Sequence, residues 1–256
     1  MLLDIHSLSK IYGQSCGHCL DETGERQGRS ICPHCGSVVA VNRACLQIEG
    51  DEILGIVGES GSGKSTLLQL LYRDVEATSG EVFFHDIKDK KNRPVNILDL
   101  DMLQTARMRN EMMSMIYQNP RLGLNYLFSA GGNIAEKIIG AGEHRFEKIR
   151  NRVHHFVDKI ELPGTRVDDY PDTFSGGQQQ RIQIAKALSS SPHLLLLDEP
   201  TTGLDVSVQA RILDLIKSLQ KEMGFAMIVV SHDLGVIRHL TDITVVMRHG
   251  SIVEYG

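Results

Sequence analysis

The sequence predicts an α/β protein with a mostly parallel core sheet, an antiparallel β subdomain and a helical subdomain. Four short, nearly all-apolar runs are typical of parallel strands that are covered on both faces: "MMSMIY", "HLLLLD", "AMIVVS" and "ITVVMR". Helix-like stretches separate them, and "VSVQARILDLIKSLQKE" places its apolar residues on one stripe. "LLDIHSLSKIY" and "RACLQIEGDEILGIVG" alternate between apolar and polar residues, which predicts a β-hairpin with an expanded turn.

The size and charge of the chain limit its organisation and its partners. With 256 residues we expect a single domain over 1–256, with an insertion at 14–38 and a helical subdomain at about 119–173. The formal net charge of −5 argues against electrostatic, sequence-independent binding to nucleic acid, so we expect no direct nucleic-acid partner. No segment approaches the ~20 apolar residues of a membrane-spanning helix, and the start of the chain does not resemble a secretory signal. We therefore expect a cytoplasmic protein.

A glycine-rich loop, "GESGSGKS" at 58–65, fits the P-loop pattern G-x-x-x-x-G-K-[ST]. In such a loop, backbone N–H groups point at phosphate oxygens, the lysine adds charge at the outer phosphates, and the serine hydroxyl can ligate Mg²⁺. The loop follows an apolar strand and opens a helix, whose N-terminus attracts the same anion. The alternative is a glycine-rich turn without a ligand. The pattern favours a nucleoside-triphosphate site with Mg²⁺, formed by Gly58, Glu59, Ser60, Gly61, Ser62, Gly63, Lys64, Ser65 and Thr66.

Two acidic residues follow the buried strand predicted for "LLLLDEP". Ligands of open α/β sheets gather at the carboxyl ends of the strands, which is where Asp198 and Glu199 lie. Asp198 can hold the metal ion through water, while Glu199 can orient or deprotonate the attacking water. The alternative is a pair of exposed loop acids without a catalytic role.

The stretch "FSGGQQQR" at 174–181 resembles the signature of the ATP-binding-cassette (ABC) ATPases, and the resemblance covers nearly the whole chain outside the cysteine-containing segment. It implies the ABC type of P-loop NTPase fold, with ATP as the ligand. The family's further motifs match in order: Tyr12 to stack on adenine, Gln118 in "YQNP" as the Q-loop glutamine and a magnesium ligand, Ser175, Gly176, Gly177 and Gln178 in the signature, Asp205 in the D-loop, and His232 as the switch histidine.

By the same resemblance, the catalytic residues are Lys64, Gln118, Glu199 and His232. In the ABC family the signature of one subunit contacts the ATP that is held by the P-loop of the other. The resemblance therefore implies a homodimer that forms on ATP binding, with two ATP molecules between the subunits. Phosphoryl transfer requires the γ-phosphate to be positioned and neutralised, so a monomer should hydrolyse ATP poorly.

Longer stretches indicate which ABC ATPases the chain resembles most. "GESGSGKST" and "TTGLDVSVQARILDLI" are similar to the ATPases of oligopeptide, dipeptide and nickel importers. "RVDDYPDTFSGGQQQRIQIAKAL" and "HDLGVIRHLTD" are similar to the ATP-binding subunit of the carbon–phosphorus lyase system for phosphonate use. The resemblance implies as partner a soluble carbon–phosphorus lyase core complex; the alternatives are the permease subunits of an importer and, third, a nucleic-acid-linked ABC function.

Four cysteines interrupt the predicted hairpin. Cys16, Cys19, Cys32 and Cys35 have the spacing C-x₂-C-x₁₂-C-x₂-C, and tight turns such as "CPHCG" aim two sulfurs at one cation. Four thiolates can surround a tetrahedral Zn²⁺ at about 2.3 Å, which predicts a structural zinc site. The alternatives are an iron or iron–sulfur centre, disulfides and free thiols.

Three other residues near these cysteines bear on the site. His18 and His34 lie within the two cysteine turns and could replace a sulfur ligand. Cys45 has no partner in this spacing, and its place in a predicted strand favours a small, buried hydrophobic residue. Because the insertion directly follows Tyr12, we hypothesise that it is a metal-stabilised docking surface near the nucleotide.

Overall fold

The structure, a computed structural model, describes residues 1–89, 91–241 and 243–256. The chain forms two compact units, one of residues 1–105 and 228–256 and the other of residues 106–227. Helix α2 (Met102–Glu111) and strand β8 (Ala226–Val230) contribute residues to both units. Helices and strands alternate along the chain, and the strand pairs are both parallel and antiparallel, which confirms the predicted α/β class.

The first unit contains an antiparallel sheet and part of a second sheet. The antiparallel sheet has the order β2-β1-β4-β5 and consists of β1 (Leu3–Tyr12), β2 (Val38–Ile48), β4 (Ser79–Lys88) and β5 (Pro94–Asn96). In the second sheet, β3 (Ile53–Val57) pairs in parallel with β9 (Ile243–Arg248), which pairs antiparallel with β10 (Ser251–Tyr255). The end of β8 lies beside β3, where the Ser231 N–H donates to the Ile56 carbonyl at 3.2 Å.

The helices of the first unit are α1 (Lys64–Leu71) and α8 (Leu234–Leu240), with 3₁₀ turns at Glu25–Gln27 and Ile97–Asp99. All four leucines of α1 are inaccessible to solvent, and so are Leu54 and Ile56 of β3. Full burial of each such side chain stabilises the unit by about 1.5–3 kcal/mol relative to exposure. The strand and helix that flank the glycine-rich loop are therefore firmly held, and they fix both ends of that loop.

The second unit is mainly helical. It contains α3 (Pro120–Gly123), α4 (Ala130–Gly140), α5 (Phe146–Lys159), α6 (Gly176–Leu188) and α7 (Val206–Met223), with 3₁₀ turns at Gly164–Arg166 and Pro171–Thr173. Its strands β6 (Met113–Ile116) and β7 (Leu194–Asp198) pair in parallel, and the start of β8 lies next to β7. The four leucines of β7 are completely buried, as their unbroken apolar run predicts.

The longest helix in the described ranges, α7, has 18 residues. Its sequence "VSVQARILDLIKSLQKEM" contains five charged side chains, so only one stripe of this helix is apolar. No helix in these ranges is both long and apolar enough to span a bilayer.

Candidate functional site

The glycine-rich loop runs from the end of β3 to the start of α1, as its sequence predicts. The Lys64 ammonium group donates to the carbonyl oxygens of Gly58 at 2.8 Å and Glu59 at 2.9 Å, and to Ser62 Oγ at 3.4 Å. The lysine is only 5% exposed, so its charge lies inside the curve of the loop. Since α1 begins at Lys64, the first N–H groups of that helix have no acceptor within the helix and can serve an anion. The loop can therefore offer positive charge and backbone donors to phosphate.

Gly63 shows why this loop needs glycine where it meets β2. Its φ of 101° is in the left-handed region, and a Cβ atom there would lie 1.9 Å from the Ala40 carbonyl oxygen. Any other residue would push the backbones of β2 and the loop apart. The first unit therefore places β2 directly against the phosphate-binding loop.

Tyr12 and His232 both lie in the first unit. Tyr12 ends β1 and is 41% exposed, and Lys10 Nζ lies 4.9 Å from the centroid of its ring. His232 is exposed and follows the end of β8, which lies beside the end of β3 because the Ser231 N–H donates to Ile56. The two strands thus bring His232 and the glycine-rich loop to the same edge of the sheet.

In the second unit, two of the predicted catalytic residues, Gln118 and Glu199, contact each other. Gln118 Nε2 donates to Glu199 Oε2 at 3.1 Å. Thr202 Oγ1 donates to the same oxygen at 2.9 Å. Glu199 has a φ of 46°, a strained conformation for a residue that is not glycine, and the two donors hold its carboxylate there. Asp198 precedes it and is nearly buried at the end of β7.

Two glutamines of α6 were not identified from the sequence. Gln183 is 1% exposed and contacts the backbone of Tyr117 twice: its Oε1 accepts from the N–H at 2.6 Å, and its Nε2 donates to the carbonyl at 3.2 Å. Gln179 accepts from the Tyr126 hydroxyl at 2.8 Å. These bonds connect the helix after the signature to the segment around Gln118. Gln179 lies in the run "GGQQQR" and Gln183 just after it in "IQIA", and neither pattern indicates which amide is buried.

The signature serine caps a helix. Ser175 is the N-cap of α6: its Oγ accepts from the Gln178 N–H at 3.4 Å, and Gln178 Oε1 accepts from the Ser175 N–H at 3.1 Å. This reciprocal capping box fixes the start of the helix. Gly176 and Gly177 lie in its first turn, where backbone N–H groups have no acceptor within the helix. These groups can donate hydrogen bonds to a phosphate.

Asp205 has a local structural role. It is the N-cap of α7 and accepts from the Val208 N–H at 3.0 Å and from the Ser207 hydroxyl at 2.7 Å. The bonds from Ser207 and Val208 lower the pKa of the Asp205 carboxyl. Its assignment to nucleotide binding stays a prediction.

The four cysteines of the insertion converge on one point. Their sulfur atoms all lie within 4.8 Å of one another, and three Sγ–Sγ distances are 3.6, 3.7 and 3.4 Å. A tetrahedron with Zn–S bonds of about 2.3 Å has edges of about 3.8 Å, so the cluster has the dimensions of a four-thiolate site. None of these cysteines forms a disulfide. The residues present therefore fit a tetrahedral metal ion.

Burial and hydrogen bonding act differently on two of the four thiols. Burial raises the pKa of Cys19 to about 12, while hydrogen bonds from Ser37 lower the pKa of Cys35 to about 5. The thiolate is the form that binds metal. A cation among the sulfurs would favour the thiolate at every position.

His18 and His34 lie in the insertion beside the cysteines, and Cys45 lies further along, in β2. The rings of His18 and His34 contact each other, with centroids 5.1 Å apart, and the group of converging ligand atoms consists of the four sulfurs alone within the described residues. The expectation that Cys45 is buried is wrong: it lies on the exposed face of β2, between buried Ala44 and Leu46. The period-two alternation of the strand determines this placement.

The first comparison with known proteins is by sequence. The family model described as ABC transporter matches residues 41–202. The protein named "Putative phosphonates utilization ATP-binding protein PhnK" from Escherichia coli K12 is 43% identical over 205 residues, which cover 80% of this chain and 78% of that protein. The oligopeptide transport ATP-binding protein OppF of Lactococcus lactis strain IL1403 is 40% identical over 227 residues, which cover 86% of this chain but only 66% of OppF.

The second comparison is by structure. The dimeric structure of the ATP-binding cassette MJ0796, in a post-hydrolysis state bound to ADP and Pi, has a TM-score of 0.80 with this chain. The two sequences are 26% identical, and the match covers 100% of this chain and 98% of the other.

Proposed function

This chain belongs to the ABC transporter family and is one of its ATPases, and on that premise we propose that it serves a phosphonate-degrading assembly. In this proposal two copies bind two ATP molecules between them, and the ATP cycle changes the conformation of a soluble carbon–phosphorus lyase core complex. The observation that carries the proposal is the 43% identity to a protein named for phosphonates utilization, over 80% of this chain.

The proposed catalytic roles are those that the family resemblance implies for these residues. Lys64 and the N–H groups of the glycine-rich loop bind the phosphates, Tyr12 stacks on adenine, and Ser65 and Gln118 ligate Mg²⁺. Glu199 orients the attacking water, and His232 contacts the γ-phosphate. The signature residues of the second copy complete the charge neutralisation, since transfer of a phosphoryl group depends mainly on positioning and electrostatics.

A second candidate is an importer ATPase bound to membrane permease subunits. The match to OppF favours it, because that match extends over 86% of this chain at 40% identity. Both candidates use the same ATPase chemistry and differ only in the partner.

The test is to identify the partner. The tagged protein is purified from native cells grown on a phosphonate, and the soluble and membrane fractions are analysed by mass spectrometry. The proposal expects subunits of a carbon–phosphorus lyase complex in the soluble fraction. Recovery with integral membrane permeases, and without lyase subunits, would overturn it in favour of the importer.

A surface variant sharpens that test. Leu127 is 83% exposed within the segment at about 119–145, where we propose that the partner binds. Leu127→Glu should reduce partner recovery, because it places a charge in an apolar contact. Phe146→Glu, at the 72% exposed start of α5, is the matched control and should keep the partner.

The cysteine cluster is proposed to bind one structural zinc ion per chain. Elemental analysis of the purified protein should give a zinc-to-protein ratio near one. Cys32→Ser should lower that ratio, since it removes a buried ligand. Iron in place of zinc, or no metal in freshly purified protein, would contradict the assignment.

A further inference from the structure

The insertion that carries the cysteines lies in the same unit as the phosphate-binding loop. It joins β1 to β2, and β2 contacts the loop at Gly63 through the Ala40 carbonyl. A shift of β2 toward the loop would therefore press on the backbone that binds phosphate. The insertion is thus placed where its own order can affect the nucleotide site.

A continuous set of hydrogen bonds connects the cysteine cluster to β2. The Thr23 hydroxyl donates to the carbonyl of Cys19 at 2.7 Å. The Asn42 side chain then donates from Nδ2 to the carbonyl of Leu20 at 2.9 Å and to the carbonyl of Thr23 at 3.1 Å. It also lies 3.2 Å from the Thr23 hydroxyl. One amide group of β2 thereby binds the loop that follows the first pair of cysteines.

The backbone of Asn42 continues the connection to the phosphate-binding loop. Its N–H donates to the Gly250 carbonyl at 2.8 Å, and the Gly250 N–H donates to the Ser62 carbonyl at 3.1 Å. Ser62 belongs to the glycine-rich loop, and its Oγ accepts from Lys64. Asn42 therefore contacts the insertion through its side chain, and its backbone is connected through Gly250 to the phosphate-binding loop.

Each side chain of this connection is shielded from water. Cys19 is 1% exposed, Ser62 4%, Thr23 5% and Asn42 8%. Water does not readily replace hydrogen bonds in such surroundings. A displacement of the insertion is therefore expected to move β2 as well. The insertion also fits closely here, since a Cβ at Gly24 would lie 3.1 Å from Asn42 Nδ2.

The order of the insertion depends on the metal. Its apolar cluster consists of Cys19, Cys32 and Val39, with three partly buried neighbours. A core this small does not hold a segment of this length without a covalent or metal staple. Metal binding supplies folding free energy to such a segment. We therefore expect removal of the metal to disorder the segment and to release the carbonyls that Asn42 binds.

We propose that Asn42 is a positioning residue that makes the affinity of the phosphate-binding loop for nucleotide depend on metal at the four-cysteine cluster. The inference rests on the zinc site proposed above and goes beyond it. A purely structural staple, or a surface that only docks a partner, would leave nucleotide affinity independent of the metal.

The test measures nucleotide binding by the full-length protein with and without zinc. A fluorescent ADP analogue is titrated into zinc-loaded and chelator-treated wild type, in the presence of Mg²⁺. We expect the dissociation constant to rise by about tenfold without zinc, within the range typical of coupled sites, and to return when zinc is added back. An unchanged dissociation constant in protein shown to have lost its zinc would overturn the inference.

Asn42→Asp tests the connection while the metal is in place. The variant keeps the size of the side chain but turns a carboxylate toward the acceptor oxygens of Leu20 and Thr23. We expect normal zinc content, weaker nucleotide binding, and a dissociation constant that no longer responds to zinc. Arg43→Ala is the matched control: it removes the exposed Asp21 ion pair next along β2 and should respond to zinc as the wild type does.

These outcomes separate this inference from the proposed metal site. Wild type that never holds zinc refutes both. If zinc-loaded Asn42→Asp and Arg43→Ala bind nucleotide with the same dissociation constant, only the coupling is refuted. Because that comparison uses loaded protein, it remains decisive even if the chelator-treated wild type unfolds.

Discussion

At the scale of single residues, the carboxylate of Glu199 is held by two neutral donors on the same oxygen. Gln118 is one of them, and its role follows from the family resemblance. Thr202 is the other, at 2.9 Å. Its hydroxyl donates to the same carboxylate oxygen as Gln118 does, so we regard Thr202 as a residue that orients Glu199.

Replacement of Thr202 by valine should therefore slow hydrolysis more than it weakens binding. We expect Thr202→Val to lower kcat by about tenfold, a modest loss for a hydrogen bond to a half-buried carboxylate, with KM for ATP little changed. Thr202→Ser keeps the hydroxyl and should retain most of kcat. Steady-state kinetics of both variants test this, and a serine variant as slow as the valine variant would contradict it.

Lys137 of α4 gives a prediction about pH and stability. Its ammonium group is buried and donates to the Arg109 carbonyl, and burial lowers its pKa from 10.5 to about 8. Between pH 8 and 10.5 the folded protein has lost a proton that the unfolded chain still binds, so stability rises with pH in this window. Below pH 8 both states are protonated, and the buried charge reduces stability.

Urea unfolding at several pH values tests this prediction. Wild type should gain stability relative to Lys137→Met as the pH rises from 8 to 10.5. Lys221→Met, at an exposed position of α7, should follow the wild-type profile. Parallel profiles for wild type and Lys137→Met would show that the buried ammonium group does not titrate in this range.

At the scale of elements, the glycine-rich loop depends on its close approach to β2. Gly63→Ala should abolish measurable nucleotide binding, because the new methyl group would lie 1.9 Å from the Ala40 carbonyl oxygen. Gly61 also has a positive φ, but a Cβ there meets nothing within 4 Å. Gly61→Ala should therefore retain weakened binding, at the cost of about 1 kcal/mol of backbone strain. Equilibrium binding of labelled ATP distinguishes the two variants. Equal losses of affinity would show that backbone strain, rather than the contact with Ala40, causes the effect.

The elements also show what sequence patterns can and cannot predict. The alternation in "LLDIHSLSKIY" and the four leucines of "LLLLD" predict a half-buried and a fully buried strand, because burial in a strand follows the period of its side chains. The contact of Gln183 with Tyr117 was not predictable, since it joins residues far apart in sequence. The burial of Cys45 was predicted wrongly from its residue type, whereas the alternation of buried and exposed residues along β2 indicates an exposed position.

At the scale of the whole molecule, the ATPase is expected to work as a pair. Glu199→Gln keeps the shape of the side chain and removes its charge, so ATP should bind without being hydrolysed. We expect this variant to change from monomer to dimer when ATP and Mg²⁺ are added, but not with ADP. Light scattering after gel filtration measures the change, and a monomer at saturating ATP would contradict the proposed dimeric mechanism.

The fold class and the order of motifs were predictable at this scale because each motif is local in sequence. The glycine-rich loop, the acidic pair after β7 and the signature each need only a few consecutive residues at the end of a strand or the start of a helix. The sequence could not predict the two-unit division of the chain, because it depends on long-range pairing such as that of β3 with β9.

That pairing has a consequence for the order of events during synthesis. Ile56 pairs with Val245, so the chain must emerge from the ribosome as far as Val245 before β3 gains this neighbour. The four cysteines are close together in sequence and can capture a metal ion long before then. If it binds a metal ion, the cysteine cluster would be ordered early in synthesis, while the strand that leads into the phosphate-binding loop gains its neighbour β9 much later.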